Sequence, residues 1–126
     1  MSARMLVIED DHNILISIAF LLKNAGYEVI TASDGVRGWA ALEDLEPKPD
    51  LAVLDIMLPA LDGYELCRRV RATPALQTMK LLILSARGLD AEVAKGLQLG
   101  ADAYLRKPFG TREFLQTVER LLAREP

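Results

Sequence analysis

Three unbroken apolar runs punctuate the chain, and each ends on polar residues. Met5 to Ile8 runs into Glu9-Asp10-Asp11, Leu51 to Leu54 into Asp55, and Leu81 to Leu84 into Ser85. Apolar runs that do not alternate suit strands covered on both faces, as in a parallel sheet. Between them lie stretches with helical spacing. Ile14 to Ala25 is the first, closed by Gly26, which readily takes the left-handed conformation just past a helix end. Tyr27 to Ala32 predicts the second strand. A turn at Ser33-Asp34-Gly35 leads to a helix from Val36 to Leu45, and Pro47 with Pro49 enforces an extended connection into the third strand. Further helices are predicted over Gly63 to Ala72, over Ala91 to Leu99 with Gly100 stopping it, and over Thr111 to Ala123 with Thr111 as N-cap. Ala103 to Leu105 is the short last strand. Strand and helix alternate five times, which predicts an α/β fold with a parallel sheet and helices on both faces.

Composition narrows the function classes. The 126 residues suffice for one core between two helical layers, so a single domain over residues 1–126 is expected. Hydrophobic residues make up 51%, yet the longest largely apolar stretch, Ile14 to Leu22, breaks at Lys23, short of the roughly 20 residues of a membrane span. The N-terminus lacks a signal-peptide layout, so a soluble, cytoplasmic protein without a membrane partner is expected. A net charge of −3 argues against direct nucleic-acid binding, which needs cations along the phosphates. Cys67 is the only cysteine and falls among apolar helix positions, which makes it a packing residue. The last predicted helix ends three residues before the terminus, which leads us to expect a stand-alone domain.

In an open parallel sheet the functional crevice lies outside the carboxyl ends of the strands. The polar residues fall at those ends: Glu9, Asp10 and Asp11 after strand 1, Asp55 ending strand 3, Ser85 ending strand 4, and Lys107 after strand 5. Three or more carboxylates in one crevice repel one another unless a cation intervenes. Mg²⁺ is the simplest choice, because it takes hard oxygen ligands and favours sites that also hold phosphate; Mn²⁺ would serve similarly. A carboxylate can itself be the nucleophile and form an acyl phosphate when cations neutralise the transferring group. Lys107 suits a phosphoryl oxygen and the Ser85 hydroxyl suits another.

Four segments in order carry a family resemblance: Leu6-Val7-Ile8-Glu9-Asp10-Asp11, then Asp55 through Pro59 to Asp62-Gly63, then Leu84-Ser85-Ala86, then Gly100 through Tyr104 to Lys107-Pro108-Phe109. Over essentially the whole chain the sequence is similar to the receiver domains of two-component response regulators. The resemblance implies a doubly wound, flavodoxin-like sheet of five strands in the order 2-1-3-4-5 with five helices. It implies that Asp55 is the phosphoacceptor, and that Glu9, Asp10, Asp55 and the Met57 backbone carbonyl are the metal ligands. Asp10 would touch the metal directly, while Glu9 acts through water; Asp11 caps a helix instead. Ser85 is the implied switch hydroxyl, Tyr104 the aromatic that follows it, and Lys107 the phosphate-binding lysine, with the Lys107-Pro108 bond commonly cis. Met57 and Arg87, two places beyond Asp55 and Ser85, stand where relatives tune the rate, and resemble receivers of winged-helix transcription regulators.

The implied role is a switch rather than a turnover enzyme. A sensor histidine kinase or phosphotransfer protein supplies the phosphoryl group, and the face of the fourth helix, fifth strand and fifth helix then controls a protein partner or an output domain. Phosphatases that use an aspartyl phosphate resemble Asp-x-Asp, and here Met57 occupies the acid's place. A flavin carrier is disfavoured because no phosphate-binding loop follows the first strand. His12 reads as a solvated helix-start residue. The first helix is more apolar than one stripe requires: with Ile14, Ile18, Leu21, Leu22 and Ala25 facing the sheet, Leu15, Ile16, Ala19 and Phe20 are left as an exposed patch for kinase docking.

Overall fold

The computed structural model describes residues 3–86 and 90–124. The elements are β1 (Arg4–Ile8), α1 (His12–Asn24), β2 (Glu28–Ala32), α2 (Gly35–Asp44), β3 (Leu51–Asp55), α3 (Gly63–Ala72), β4 (Lys80–Ser85), α4 (Asp90–Gln98), β5 (Ala103–Arg106) and α5 (Thr111–Ala123). All strand pairs are parallel, in the order β2-β1-β3-β4-β5. This is the doubly wound, flavodoxin-like sheet that the alternation of elements and the resemblance imply.

Side chains leave successive strand residues on opposite faces, so each apolar run serves two cores. Leu6, Ile8, Leu54, Leu81 and Ile83 pack with Leu42 of α2 and Leu66, Cys67 and Val70 of α3. Met5, Val7, Val53, Leu82 and Leu84 pack with Leu15, Ile18 and Leu22 of α1 and Phe114, Val118 and Leu121 of α5. Double coverage explains why the runs are continuous rather than alternating. Among the described residues no helix is long and apolar enough to cross a membrane.

Three local features differ from the sequence-based expectations. Thr111 does not cap α5; Gly110 occupies the cap in an extended conformation, and its carbonyl accepts from Phe114 N at 3.0 Å, while Thr111 is already helical. A 3₁₀ turn at Pro74–Leu76 follows α3, started by a proline whose missing N–H costs nothing at a helix beginning. On α1 the buried stripe is rotated. Leu15, Ile18, Ala19 and Leu22, spaced i, i+3, i+4 and i+7, face the sheet, whereas Ile14 and Leu21 lie at its margin. Leu15 (8% exposed) and Ala19 (7%) are therefore core residues, and the exposed apolar surface shrinks to Ile16 (53%) and Phe20 (64%).

Three helix starts are fixed by acidic caps, as anticipated for Asp11, whose Oδ1 accepts from Ile14 N at 3.1 Å. Asp34 and Asp62 do the same for α2 and α3, accepting from Arg37 N at 2.7 Å and Glu65 N at 2.9 Å. Gly63, the first residue of α3, is packed so closely that a Cβ there would lie 2.6 Å from the Asp55 carbonyl oxygen and 2.8 Å from Ile56 Cα. Only glycine lets α3 begin against the loop that leaves β3.

Candidate functional site

The carboxyl ends of β1, β3 and β5 bring the predicted residues together. Glu9 follows β1 with its backbone N–H donating to Ala32 O at 3.1 Å, so the strand end is tied to the edge strand and the side chain turns inward, fully buried. Asp55 ends β3 and is also buried. Lys107 follows β5, its N–H donating to Ser85 O at 2.8 Å. From there its ammonium donates to Glu9 Oε1 at 2.6 Å and to Asp55 Oδ2 at 2.7 Å. The Lys107-Pro108 peptide bond is cis. Asp10 sits beside this group, exposed to solvent.

Backbone donors hold the two acids from the other side. Met57 N donates to Asp55 Oδ1 at 2.9 Å and Asp11 N reaches Glu9 Oε2 at 3.3 Å. Nothing in residue type signals these contacts, because every residue but proline carries the N–H. The turn after Asp55 is tight: Leu61 N bonds Pro59 O at 2.8 Å around Ala60, whose φ of 66° is unusual for a residue with a Cβ.

Burial dominates the electrostatics. It pushes the Glu9 carboxyl up to about 7; the hydrogen bond from Lys107 opposes that rise, while the neighbouring Asp55 charge adds to it. For Lys107 burial acts downward, but the hydrogen bonds to Asp55 and Glu9 outweigh it and the ammonium ends above its ordinary range. The crevice thus holds more negative charge than one lysine comfortably neutralises. Glu9, Asp10 and Asp55 can each turn one oxygen to a common point, all within 4.8 Å of one another. Three hard oxygen donors around an electron-rich crevice fit a small divalent cation such as Mg²⁺.

The remaining predicted residues surround this centre. Ser85 ends β4, one residue past Leu84, the register partner of Asp55, and its side chain is buried. Tyr104 lies on β5 opposite Ile83, half-buried against the core under α2 and α3. Met57 is exposed beside Asp55, His12 is exposed at the first turn of α1, and Arg87 lies outside the described residues.

The family model for the response regulator receiver domain matches residues 5–119. The alkaline phosphatase synthesis transcriptional regulatory protein PhoP of Bacillus subtilis strain 168 is 42% identical over 125 residues, covering 98% of this chain and 50% of PhoP. The chain spans about half the length of the curated relatives it matches. Among solved structures, a CheY-like response regulator receiver domain protein from Methanospirillum hungatei JF-1 superposes with a TM-score of 0.89 at 31% identity, covering 97% of this chain and 94% of that one. The receiver domain of a sensor histidine kinase from Pseudomonas aeruginosa PAO1, solved with a magnesium ion coordinated in its active-site cleft, gives 0.88 at 28% identity, covering 98% and 100%. Matched along nearly its whole length by sequence and by fold, the chain belongs to the response regulator receiver family of two-component signalling, whose members are phosphoacceptor switches rather than classical enzymes.

Proposed function

We propose that this chain, as one receiver unit over residues 1–126, accepts a phosphoryl group on Asp55 from a histidine kinase or phosphotransfer protein in an Mg²⁺-dependent reaction. The observation that carries this reading is the Lys107 ammonium held between Glu9 and Asp55 beside exposed Asp10. An Asp55 carboxylate oxygen forms the bond to phosphorus as the bond from phosphorus to the donor's imidazole nitrogen breaks, its electron pair remaining on that nitrogen. Glu9, Asp10, Asp55 and the Met57 carbonyl would hold the ion, which supplies positive charge for the transferring oxygens. With the carboxylates neutralised, Lys107 turns from Glu9 and Asp55 to a phosphoryl oxygen, and the Ser85 hydroxyl donates to another. Tyr104 follows Ser85 inward, and the face of α4, β5 and α5 then controls a protein partner or an output domain. Met57, exposed two residues past Asp55, would tune the lifetime of the phosphoryl group by controlling water at this mouth, and Arg87 is the second residue proposed to set that rate.

For the donor, α1 remains the proposed seat, with corrected contacts. Ile16 and Phe20 are its exposed apolar side chains, and a groove of about 440 Å³ runs between Ile14, Ser17 and Leu21 and the Lys107-Pro108-Phe109 segment. A phosphohistidine-bearing helix laid along α1 would have Lys107 at the end of that groove.

Three outcomes follow from this reading. Acetyl phosphate with Mg²⁺ should add one phosphoryl mass to the wild type, none to Asp55→Asn, and little to wild type in EDTA; intact-mass measurement decides, and labelling of the variant at the wild-type level contradicts the assignment. Magnesium affinity should weaken as pH falls below about 7, since the ion must displace the proton that burial keeps on Glu9. Calorimetry in buffers of different ionisation enthalpy reads this as proton release near pH 7, and pH-independent binding without proton release contradicts it. Finally, Phe20→Glu and Ser17→Arg should each slow transfer from a phosphohistidine donor by about tenfold, the size of one interface contact worth more than 1 kcal/mol, while acetyl phosphate labelling stays near wild type. Equal slowing with both donors would mean that α1 does not act through docking.

A further inference from the structure

One aromatic side chain joins α3 to α4. Tyr64 is the second residue of α3 and follows Gly63, whose close packing ties the helix start to the backbone of Asp55 and Ile56. From this fixed base it crosses to α4, where its hydroxyl donates to the Glu92 carbonyl oxygen at 3.2 Å. Lys95 of α4 sets its ammonium 4.4 Å from the centre of the Tyr64 ring, within the range of a cation–π contact. Burial, and then the charge of Glu92, raises the Tyr64 phenol, so the group is a secure donor.

The same place holds an unmet acceptor. Glu92 Oε2 is buried and has no hydrogen-bond partner. Lys95 lies three residues further along the helix, a spacing at which opposite charges ordinarily pair, yet its ammonium lies over the Tyr64 ring. A buried carboxylate oxygen without a donor is costly. Two opposing interactions therefore meet on one helix turn: Tyr64 holds α4 against α3 through the Glu92 carbonyl and Lys95, while a Lys95 ammonium off the ring would be in reach of the Glu92 carboxylate. A groove of about 360 Å³ beside them is lined by Ile56, Met57, Tyr64, Ala91, Glu92 and Lys95, so the loop that leaves Asp55 borders the same contact.

We propose that Tyr64 is a positioning residue of the switch, latching α4 to α3 in the unphosphorylated arrangement until a Glu92–Lys95 ion pair replaces its contacts when Asp55 is phosphorylated. The proposal rests on Asp55 as phosphoacceptor. It gives α4 two discrete arrangements with different partners for one lysine, which is what a bistable element requires. The path from the site is short and covalent for most of its length: Asp55, the loop pressed by Gly63, then Tyr64.

Two variants move the balance in opposite directions, which a purely structural role would not do. Tyr64→Phe keeps the ring and removes the hydroxyl, so it weakens the latch; Glu92→Gln removes the negative charge and with it the replacing ion pair, so it strengthens it. With beryllofluoride and Mg²⁺ as the acyl-phosphate mimic, Tyr64→Phe should bind about three- to tenfold more tightly than wild type, the effect of one neutral hydrogen bond, and Glu92→Gln more weakly. In the free protein, amide exchange over α4 should be faster in Tyr64→Phe and slower in Glu92→Gln. Shifts of the same sign, or none, in beryllofluoride affinity overturn the latch. If the wild type does not bind beryllofluoride, or Asp55→Asn binds it equally, the phosphoacceptor reading fails instead; the exchange experiment then decides the latch alone, and unchanged α4 exchange in Tyr64→Phe overturns it.

Discussion

Like charge crowded at one edge of the sheet is the constraint on which the site depends. Parallel strands end together, so the residues that follow β1 and close β3 have no choice but to converge, and here they are Glu9, Asp10 and Asp55. Lys107 reaches the crevice from β5 and bonds two of the three. Deleting one member of such a buried pair typically costs about 3–5 kcal/mol, a large part of the roughly 5–15 kcal/mol that holds a domain folded. On the proposed mechanism another cation would have to replace Lys107 beside its two acids before it could turn to a phosphoryl oxygen. Such an exchange of cations would make the proposed metal dependence and the proposed response to phosphorylation two sides of one electrostatic requirement.

The surrounding structure serves to keep this crowding in place. Met57 N and Asp11 N fix the acids through backbone donors, and the Asp11 side chain caps α1 at the same corner. The missing Cβ at Gly63 allows α3 to begin directly against the backbone of Asp55 and Ile56. Farther away, Arg71 at the other end of α3 bonds the carbonyls of Gly100, Gln77 and Met79 and pairs with Asp102 at 2.8 Å. That end of the helix is thereby anchored.

Much of this was legible in the sequence because strand ends and polar residues coincide. The runs at Met5, Leu51 and Leu81 stop on Glu9, Asp55 and Ser85, and double coverage by helices leaves no polar alternation to confuse the strands. Less legible was α1, where nearly every position is apolar and composition cannot choose the inward stripe. The sheet selects Leu15 and Ala19, which apolar spacing alone leaves outside the stripe. Capping of α5 misled for a related reason: Thr111 is a good cap by type, but the chain enters the helix one residue earlier, at Gly110. The Lys107 bonds to Glu9 and Asp55, spanning 98 and 52 residues, and the Tyr64 contact with α4 have no local pattern, since they exist only once the layers are assembled.

The central claim is that one carboxylate in this crevice, Asp55, carries the phosphoryl group. The most direct measurement labels the protein with acetyl phosphate and Mg²⁺, reduces the acyl phosphate with borohydride, and maps the reduced residue by peptide mass spectrometry. The account predicts a single reduced position at Asp55. Reduction at Asp10 or Asp62, or an acid-labile phosphate on His12 with Asp55 untouched, would contradict it.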